Sequence, residues 1–589
     1  MVDLKARPYY LSDEDIKWVE ETIAGMSDEE KVGQLFFQLT SSHEEEHLKE
    51  LMEKYHLGGC RYNPAPGAAI LEQNRKLQKY AKVPVFIACN TEAGGDGACA
   101  DGTAIGAGVK IGATDKDEYA FALGKMSNEE AAAIGCNMAF SPVCDIAYNW
   151  ENTEIIGRAF GNDPERVARM SVEYLKGAHT IPGFACAAKH FPGNGQDFRD
   201  AHISNNVNYF DVDEWDATYG HVYKELIEND LDAIMGGHIL MPKYSKALKP
   251  DLHDDDLMPA TLAPEIMTGL LRDKLGFNGM VVTDASHMVG MTNRMKRSQM
   301  LPLAINAGCD MFLFFNDPEE DFATMLNAYK DGTISEERMV EALTRILGLK
   351  ARMGLHKKAK EELVPAADAL SAVLGKEEYK DMQKAISKDA ITLVKYKDKD
   401  VLPLTPERYK RIMIVHVKGN GGAMGELMKA MGYGGGANPA EILKEKLCAK
   451  GFDAFIYESP LDKMKKQIAA GEKPSINMYF AGKNAIADFV KDMDLVITLC
   501  DVANGRPSFG MSKGGGEIPW YVFELPVVVV GCGQPTMLAD IPQARTYINT
   551  YDAKEYTLDA LVEKLVAGEE AFTGIDPIDS FCGLFDARL

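Results

Sequence analysis

One rhythm constrains this chain more than any other feature. Across its first ~350 residues, eight short apolar runs alternate with stretches patterned for amphipathic helices. The runs are GQLFFQL (33–39), LGGCRYN (57–63), VPVFIACN (83–90), CNMAFSPVCDI (136–146), CAAKHF (186–191), AIMGGHI (233–239), GMVVTDA (279–285) and CDMFLFF (309–315). Each is strand-sized, and most are separated by helix-sized segments. DPERVARMSVEYLKGA, after Asn162, is a clear example, with Asp163-Pro164 as a good helix start. Eight βα-like units suggest a (β/α)8 barrel of the TIM type. Periodicity alone is satisfied equally by an open, doubly wound sheet.

At 589 residues the chain is too long for one ordinary core. A Lys- and Glu-rich stretch, HKKAKEELVPAADALSAVLGKEEYKDMQKAISKDA, begins at His356 and reads as a connecting segment ending in a packed helix. Beyond it lie further strand candidates: RIMIVHV (411–417), DAFIYE (453–458), LVITLCD (495–501), PVVVVGC (526–532) and RTYINTY (545–551). Such apolar runs, with helices between, imply a parallel sheet covered on both faces. The expected organisation is a barrel over 1–355, a helical linker over 356–384, and a second α/β sandwich domain over 385–589.

The net charge of −24 argues against nucleic acid and anionic membranes as partners, since both demand a basic face. The N-terminus, MVDLKARPYYLSDEDIKW, has no apolar stretch after its cations, and no run approaches the ~18 residues of a spanning helix. The eleven cysteines are scattered, with no CxxC metal spacing. They read as small buried hydrophobes in a reducing cytoplasm. A cytoplasmic protein without metal or cofactor is the expectation.

In a barrel, reactive side chains sit at the C-terminal ends of strands. Strand three ends in Asn90-Thr91-Glu92. Strand four ends near Asp145, with Arg158 following in IIGRAFG. Strand five ends in Lys189-His190, strand six at His238, and strand seven in Thr283-Asp284. Ionisable groups ending apolar strands are costly unless partnered, so their convergence signals function. Asp284 could attack an anomeric carbon or stabilise an oxocarbenium ion, or could simply cap the next helix. The loop GNGQDFRDAHISNN places Asp200 two residues before His202. A carboxylate beside a His favours and orients the imidazolium, which suits a proton donor; accidental loop charges are the bland alternative.

These segments resemble glycoside hydrolase family 3, in order, over nearly the whole chain. The resemblance is carried by MSDEEKVGQLF (26–36), GRAFGNDPERVA (157–168), KHFPGNG (189–195), DAH (200–202), GHILMP (237–242), PATLAPEIMTGLLRDKLGFNGMVVTDASHM (259–288) and AINAGCDMFL (304–313). The Asp-x-His loop resembles that of the β-N-acetylglucosaminidase branch. The resemblance implies a retaining β-glycosidase that hydrolyses terminal β-linked N-acetylglucosamine through a glycosyl-enzyme intermediate. Asp284 would then be the nucleophile, and His202 with Asp200 the acid/base. Arg158, Lys189 and His190 would hold the sugar, with Asn90, Glu92, Asp145 and His238 completing the carbohydrate site. The second region, through ALVEKLVAGEEAFTGIDPIDSF (560–581), resembles the family's C-terminal α/β sandwich domain.

Two departures bear on the sugar. Asn90 stands where the family usually has an Asp that accepts from the 4- and 6-hydroxyls, and the Arg that usually follows is missing. KHFPGHG has become KHFPGNG, with Asn194. A glucoside or glucuronide thus stays open as substrate. So does phosphorolysis, because a neutral His repels phosphate less than a Glu would. Two Gly-rich stretches attract separate expectations. VHVKGNGGAMGELM (415–428) reads as a tight βα turn rather than a nucleotide loop, since Met424 replaces the third Gly of GxGxxG. GRPSFGMSKGGGEIPW (505–520) is long enough to reach a barrel mouth.

Overall fold

The computed structural model describes residues 2–40, 42–418, 437–475, 485–502 and 517–589. They form two compact units. The first comprises residues up to Gly108 together with Lys116–Met382; the second comprises Val109–Asp115 and Gln383–Leu589. The helical segment from 356 therefore belongs, as far as Met382, to the first unit, and seven residues from deep within the barrel sequence belong to the second. No helix among the described residues is long and apolar enough to cross a membrane.

The first unit is a closed barrel of eight parallel strands: β1 (Phe36–Leu39), β2 (Gly59–Arg61), β3 (Phe86–Cys89), β4 (Met138–Ala139), β5 (Ala185–Phe191), β6 (Ala233–Gly236), β7 (Met280–Ala285) and β8 (Met311–Leu313). Seven fall inside apolar runs picked out above and β5 begins one residue before its run, at Ala185; the closure of β1 on β8 (Phe36 beside Phe312) excludes the open-sheet alternative. The helix Pro164–His179 begins as its sequence dictates, with the Asp163 carboxylate accepting the Glu165 N–H and Pro164 at the first turn. At the N-terminal face, Asp310 accepts from Arg272 (3.0 Å) and Arg338 (2.8 Å), and Asp232 pairs with Arg352 (3.0 Å) and His179 (2.8 Å). These two acids are fully buried and pair with half-buried basic side chains on the face opposite the strand mouths.

The second unit holds a six-stranded sheet. Its strands are β9 (Thr392–Tyr396), β10 (Arg411–Lys418), β11 (Asp453–Ile456), β12 (Leu495–Asp501), β13 (Val527–Gly531) and β14 (Thr546–Asn549). Their order is β9-β14-β13-β12-β10-β11, all parallel except β9, which runs antiparallel along β14. Alternate residues feed opposite cores. Ile412, Ile414, Ile497, Leu499, Val528 and Val530 pack on one face with Leu443 and Leu561. Met413, Val415, Val496, Val527 and Val529 pack on the other with Tyr521 and Ile541. Both faces are covered, as the runs implied. The edge strand β9 was not anticipated. Lys110 is buried in this unit, where its ammonium donates to Asp552 (2.6 Å), Ser387 (2.7 Å) and Thr557 (3.1 Å).

All eleven cysteines are free thiols; ten are buried and Cys448 is exposed, against the expectation of uniform burial.

Candidate active site

The turn after β5 sets the geometry of the mouth. Gly193 and Gly195 lie at φ +118° and +115°. A Cβ at Gly193 would strike the Tyr219 ring at 2.2 Å, and one at Gly195 the Ile146 carbonyl at 2.0 Å, so the backbone shape requires glycine. Asp145, fully buried in the loop after β4, fastens this turn. It takes the Asn194 N–H at 2.7 Å and the His190 ring Nδ1 at 2.6 Å. His190 is thereby oriented with Nε2 towards Asp284, 3.8 Å from its Oδ2. Asp145 thus reaches the mouth through His190.

At the end of β7, Asp284 is held by opposing forces. Burial would raise its pKa, but His190, His238, the Ala285 N–H (2.7 Å) and Lys189 outweigh burial and keep the carboxyl below its ordinary range. It is therefore ionised at neutral pH. His238, at the end of β6, engages Thr261 (2.8 Å) and the Ala285 carbonyl (3.1 Å); burial lowers its pKa, favouring the neutral ring.

Glu92, just past β3, gathers two cations. It accepts Arg158 Nε and Nη2, both at 2.8 Å, and Lys189 Nζ at 2.5 Å. Burial pushes its pKa up, yet the two cations win and hold it well below the usual range. The same burial lowers the pKa of Lys189. Asn90, directly after β3 and two residues before Glu92, is half-buried.

The loop after β5 carries the remaining pair. Asp200 Oδ1 lies 2.7 Å from His202 Nδ1 and accepts the His202 backbone N–H at 2.8 Å. The loop is pinned to the segment after β7: the Val289 and Gly290 N–H groups donate to the His202 and Ala201 carbonyls at 3.2 and 2.9 Å. The hydrogen bond to Asp200 raises the His202 pKa, against partial burial, and the Asp200, Glu154 and Asp284 charges add to it. The reciprocal bond lowers the pKa of Asp200. Because an ionised Asp200 can only accept, the ring donates from Nδ1, leaving Nε2 for proton transfer.

All ten residues singled out from the sequence therefore lie at or directly behind the mouths of β3 to β7. One further residue was missed. Glu154, in the loop after β4, has a largely enclosed side chain that accepts from Asn194 Nδ2 at 2.9 Å. It could have been flagged by its position four residues before Arg158. Ligand-type atoms of Glu154, Asp200 and His202 all lie within 4.8 Å of one another, close enough for a cation to bridge. The Gly-rich turn of 415–428 lies outside the described residues from 419, and the loop 505–520 lies outside them up to 516.

A (β/α)8 barrel whose mouth combines an ionised strand-end carboxylate, a largely enclosed carboxylate–cation triad and a His–Asp pair is arranged for work on glycosidic bonds. Residues 27–349 match the family model described as glycosyl hydrolase family 3 N terminal domain. A β-N-acetylglucosaminidase/β-glucosidase of Cellulomonas fimi is 36% identical over 594 residues, covering 100% of both chains. Among solved structures, the β-glucoside phosphorylase BglX has a TM-score of 0.88 at 34% identity, covering 99% of each chain. A family 3 β-N-acetylglucosaminidase from Paenibacillus sp. str. FPU-7 shares the fold, with a TM-score of 0.75 at 23% identity over 94% of this chain and 99% of that one. The chain belongs to glycoside hydrolase family 3, and it is a β-glycosidase acting on carbohydrate.

Proposed function

We propose that this enzyme is a retaining β-N-acetylhexosaminidase that removes terminal β-linked N-acetylglucosamine. Asp284 attacks the anomeric carbon as His202 Nε2 gives a proton to the departing oxygen. His202 then takes a proton from water, and that water displaces Asp284. The observation that carries this reading is the 2.7 Å Asp200–His202 pair, which frees one ring nitrogen while the ionised Asp284 waits at the end of β7. Arg158, Lys189 and Glu92 hold sugar hydroxyls or the acetamido group, with His190 near the nucleophile. Asp145 and His238 support that wall from behind. Asn90 reads the far edge of the ring with a neutral amide. Its hydrogen bond to a hydroxyl contributes about 1 kcal/mol, where a carboxylate would contribute roughly 1.5–3 kcal/mol. That weakening favours a substrate gripped through its acetamido side. The naming of the Cellulomonas fimi relative for both activities supports β-glucosides as companion substrates.

The test is a kcat/KM comparison of aryl β-glycosides: N-acetylglucosaminide, N-acetylgalactosaminide, glucoside, xyloside and glucuronide. N-acetylglucosaminide leads on this reading, and Asn90→Asp improves it. A tenfold lead by another sugar would overturn the substrate assignment and leave the mechanism standing.

A second reading, phosphorolysis, is favoured by the likeness to BglX. An imidazole also presents no negative charge to an incoming phosphate once it has given up its proton. The Glu154 and Asp200 carboxylates work against it. Running the same reactions with phosphate and assaying for sugar 1-phosphate separates the two readings.

A further inference from the structure

We propose that Glu154 is a positioning residue for the reaction: its carboxylate, seated beside the Asp200–His202 pair, holds the His202 imidazolium in its proton-donating form. The inference rests on the reading of His202 as the acid/base.

Several observations converge on Glu154. Its side chain is only 6% exposed, an expensive place for a carboxylate. One oxygen is anchored by Asn194 Nδ2, whose residue is itself fastened through its backbone to Asp145. The nearest guanidinium, Arg158, stands 4.0 Å off and is already committed to Glu92 through two shorter bonds. The Glu154 charge is therefore not cancelled by a close partner, and its field falls on the imidazole less than 5 Å away.

The groups around His202 divide by sign. Asp200 on its own loop, Glu154 after β4 and Asp284 on β7 favour the imidazolium; His238 after β6 opposes it when charged. Glu154 in turn faces His190 and Arg158, which favour its charge, and Asp200 and Asp284, which oppose it. Burial is the largest influence and raises its pKa. Glu154 acts on His202 above that raised pKa, where it is ionised.

The sign follows directly. Removing a carboxylate beside an imidazolium lowers the imidazolium pKa, so the acid form of His202 disappears at lower pH. The experiment is the pH profile of kcat/KM for wild type, Glu154→Gln and Glu154→Asp, each on an alkyl and a dinitrophenyl β-glycoside of the preferred sugar. Gln is isosteric and still accepts from Asn194, so the anchor survives. Wild type should show a strong basic limb with the alkyl substrate and a weak one with the dinitrophenyl substrate, whose leaving group needs no acid. Glu154→Gln should move the alkyl limb down by ~0.5–1 pH unit, the size expected for one charge about 5 Å away through partly solvated surroundings. Glu154→Asp, which keeps the charge, should leave the limb near its wild-type position. A uniform loss of activity across pH in Glu154→Gln, with the limb unmoved, would mean a purely structural role and would overturn the proposal. A wild-type limb equally strong on both substrates would instead remove His202 as the acid, and with it the basis for Glu154.

Discussion

Changing Asp200 to Asn perturbs the His–Asp pair with the least disturbance of shape. Asn keeps an oxygen for the His202 backbone N–H, but it has no charge and can turn its amide N–H towards the ring. Two effects follow. A hydrogen bond to a charged partner is worth roughly 1.5–3 kcal/mol against ~1 kcal/mol for a neutral one, and the half-exposed ring places this pair at the low end. The imidazole pKa should therefore fall. The second effect is larger. An amide N–H pointing at Nδ1 drives the ring proton to Nε2, and a ring protonated there cannot take a proton from water in the second step. General base catalysis of this kind is worth about 10²–10⁴-fold. Mixing Asp200→Asn with a dinitrophenyl β-glycoside should thus give a fast burst of dinitrophenolate, since departure needs no acid. A steady rate roughly 10²–10³-fold below wild type should follow as the glycosyl-enzyme accumulates. Azide should restore turnover by attacking that intermediate without a base. Asp200→Ala, which leaves Nδ1 to water, should be less impaired in the second step than Asp200→Asn. Absence of a burst with a steady rate within threefold of wild type, or Asp200→Ala slower than Asp200→Asn, would refute this account of the pair.

Three other outcomes are expected. Asp284→Ala should lose several orders of magnitude in kcat while keeping its fold, and a fluorinated mechanism-based glycoside should label Asp284 in wild type; peptide mapping that finds another residue would move the nucleophile elsewhere. Lys350 is buried, donates to Gln34 at 2.7 Å, and has its pKa pushed down by burial from 10.5 to about 7. A depressed ammonium costs stability fully below about pH 7, where folded and unfolded chains both carry the proton, and the cost fades as pH rises towards 10.5. Lys350→Met should thus raise the Tm of the first unit by several degrees at pH 6 and by less at pH 9, a gap of a few kcal/mol closing with pH; a pH-independent difference contradicts the buried charge. Prolonged dialysis against EDTA should leave kcat unchanged; loss restored by a divalent cation would turn the cluster of Glu154, Asp200 and His202 into a metal site.

Much of this arrangement was legible because it is periodic. Each barrel strand announces itself as an apolar run, and β10, β12, β13 and β14 follow the same rule because buried parallel strands are apolar on both faces. The mouth residues were legible because a polar group ending such a run has a cost that demands a reason; Glu92, Lys189 and Asp284 stand out on that ground alone. Glu154 escaped because it lies in an aperiodic loop, ENTEIIGR, where a carboxylate is ordinary until burial makes it unusual. The strand β9 escaped because TLVKY follows a helical stretch directly and mixes apolar with charged residues, as an edge strand can. Which face a polar group serves follows from the end of the run it occupies: Asp232 and Asp310 directly precede β6 and β8 and brace the face opposite the mouth.

The seven residues Val109–Asp115 have a consequence for the chain as an object that is synthesised and cut. Lys110 is translated more than four hundred residues before Asp552, the carboxylate that receives its ammonium. On the ribosome, the second unit must wait for nearly the whole polypeptide before this bond can close, although the piece it waits with has long since emerged. A gene fragment starting at Gln383 would encode a sheet with a half-buried Asp552 deprived of its cation. The barrel sequence and the sandwich sequence are thus not separable modules at the level of a single cut; the seam of the fold crosses the chain in three places.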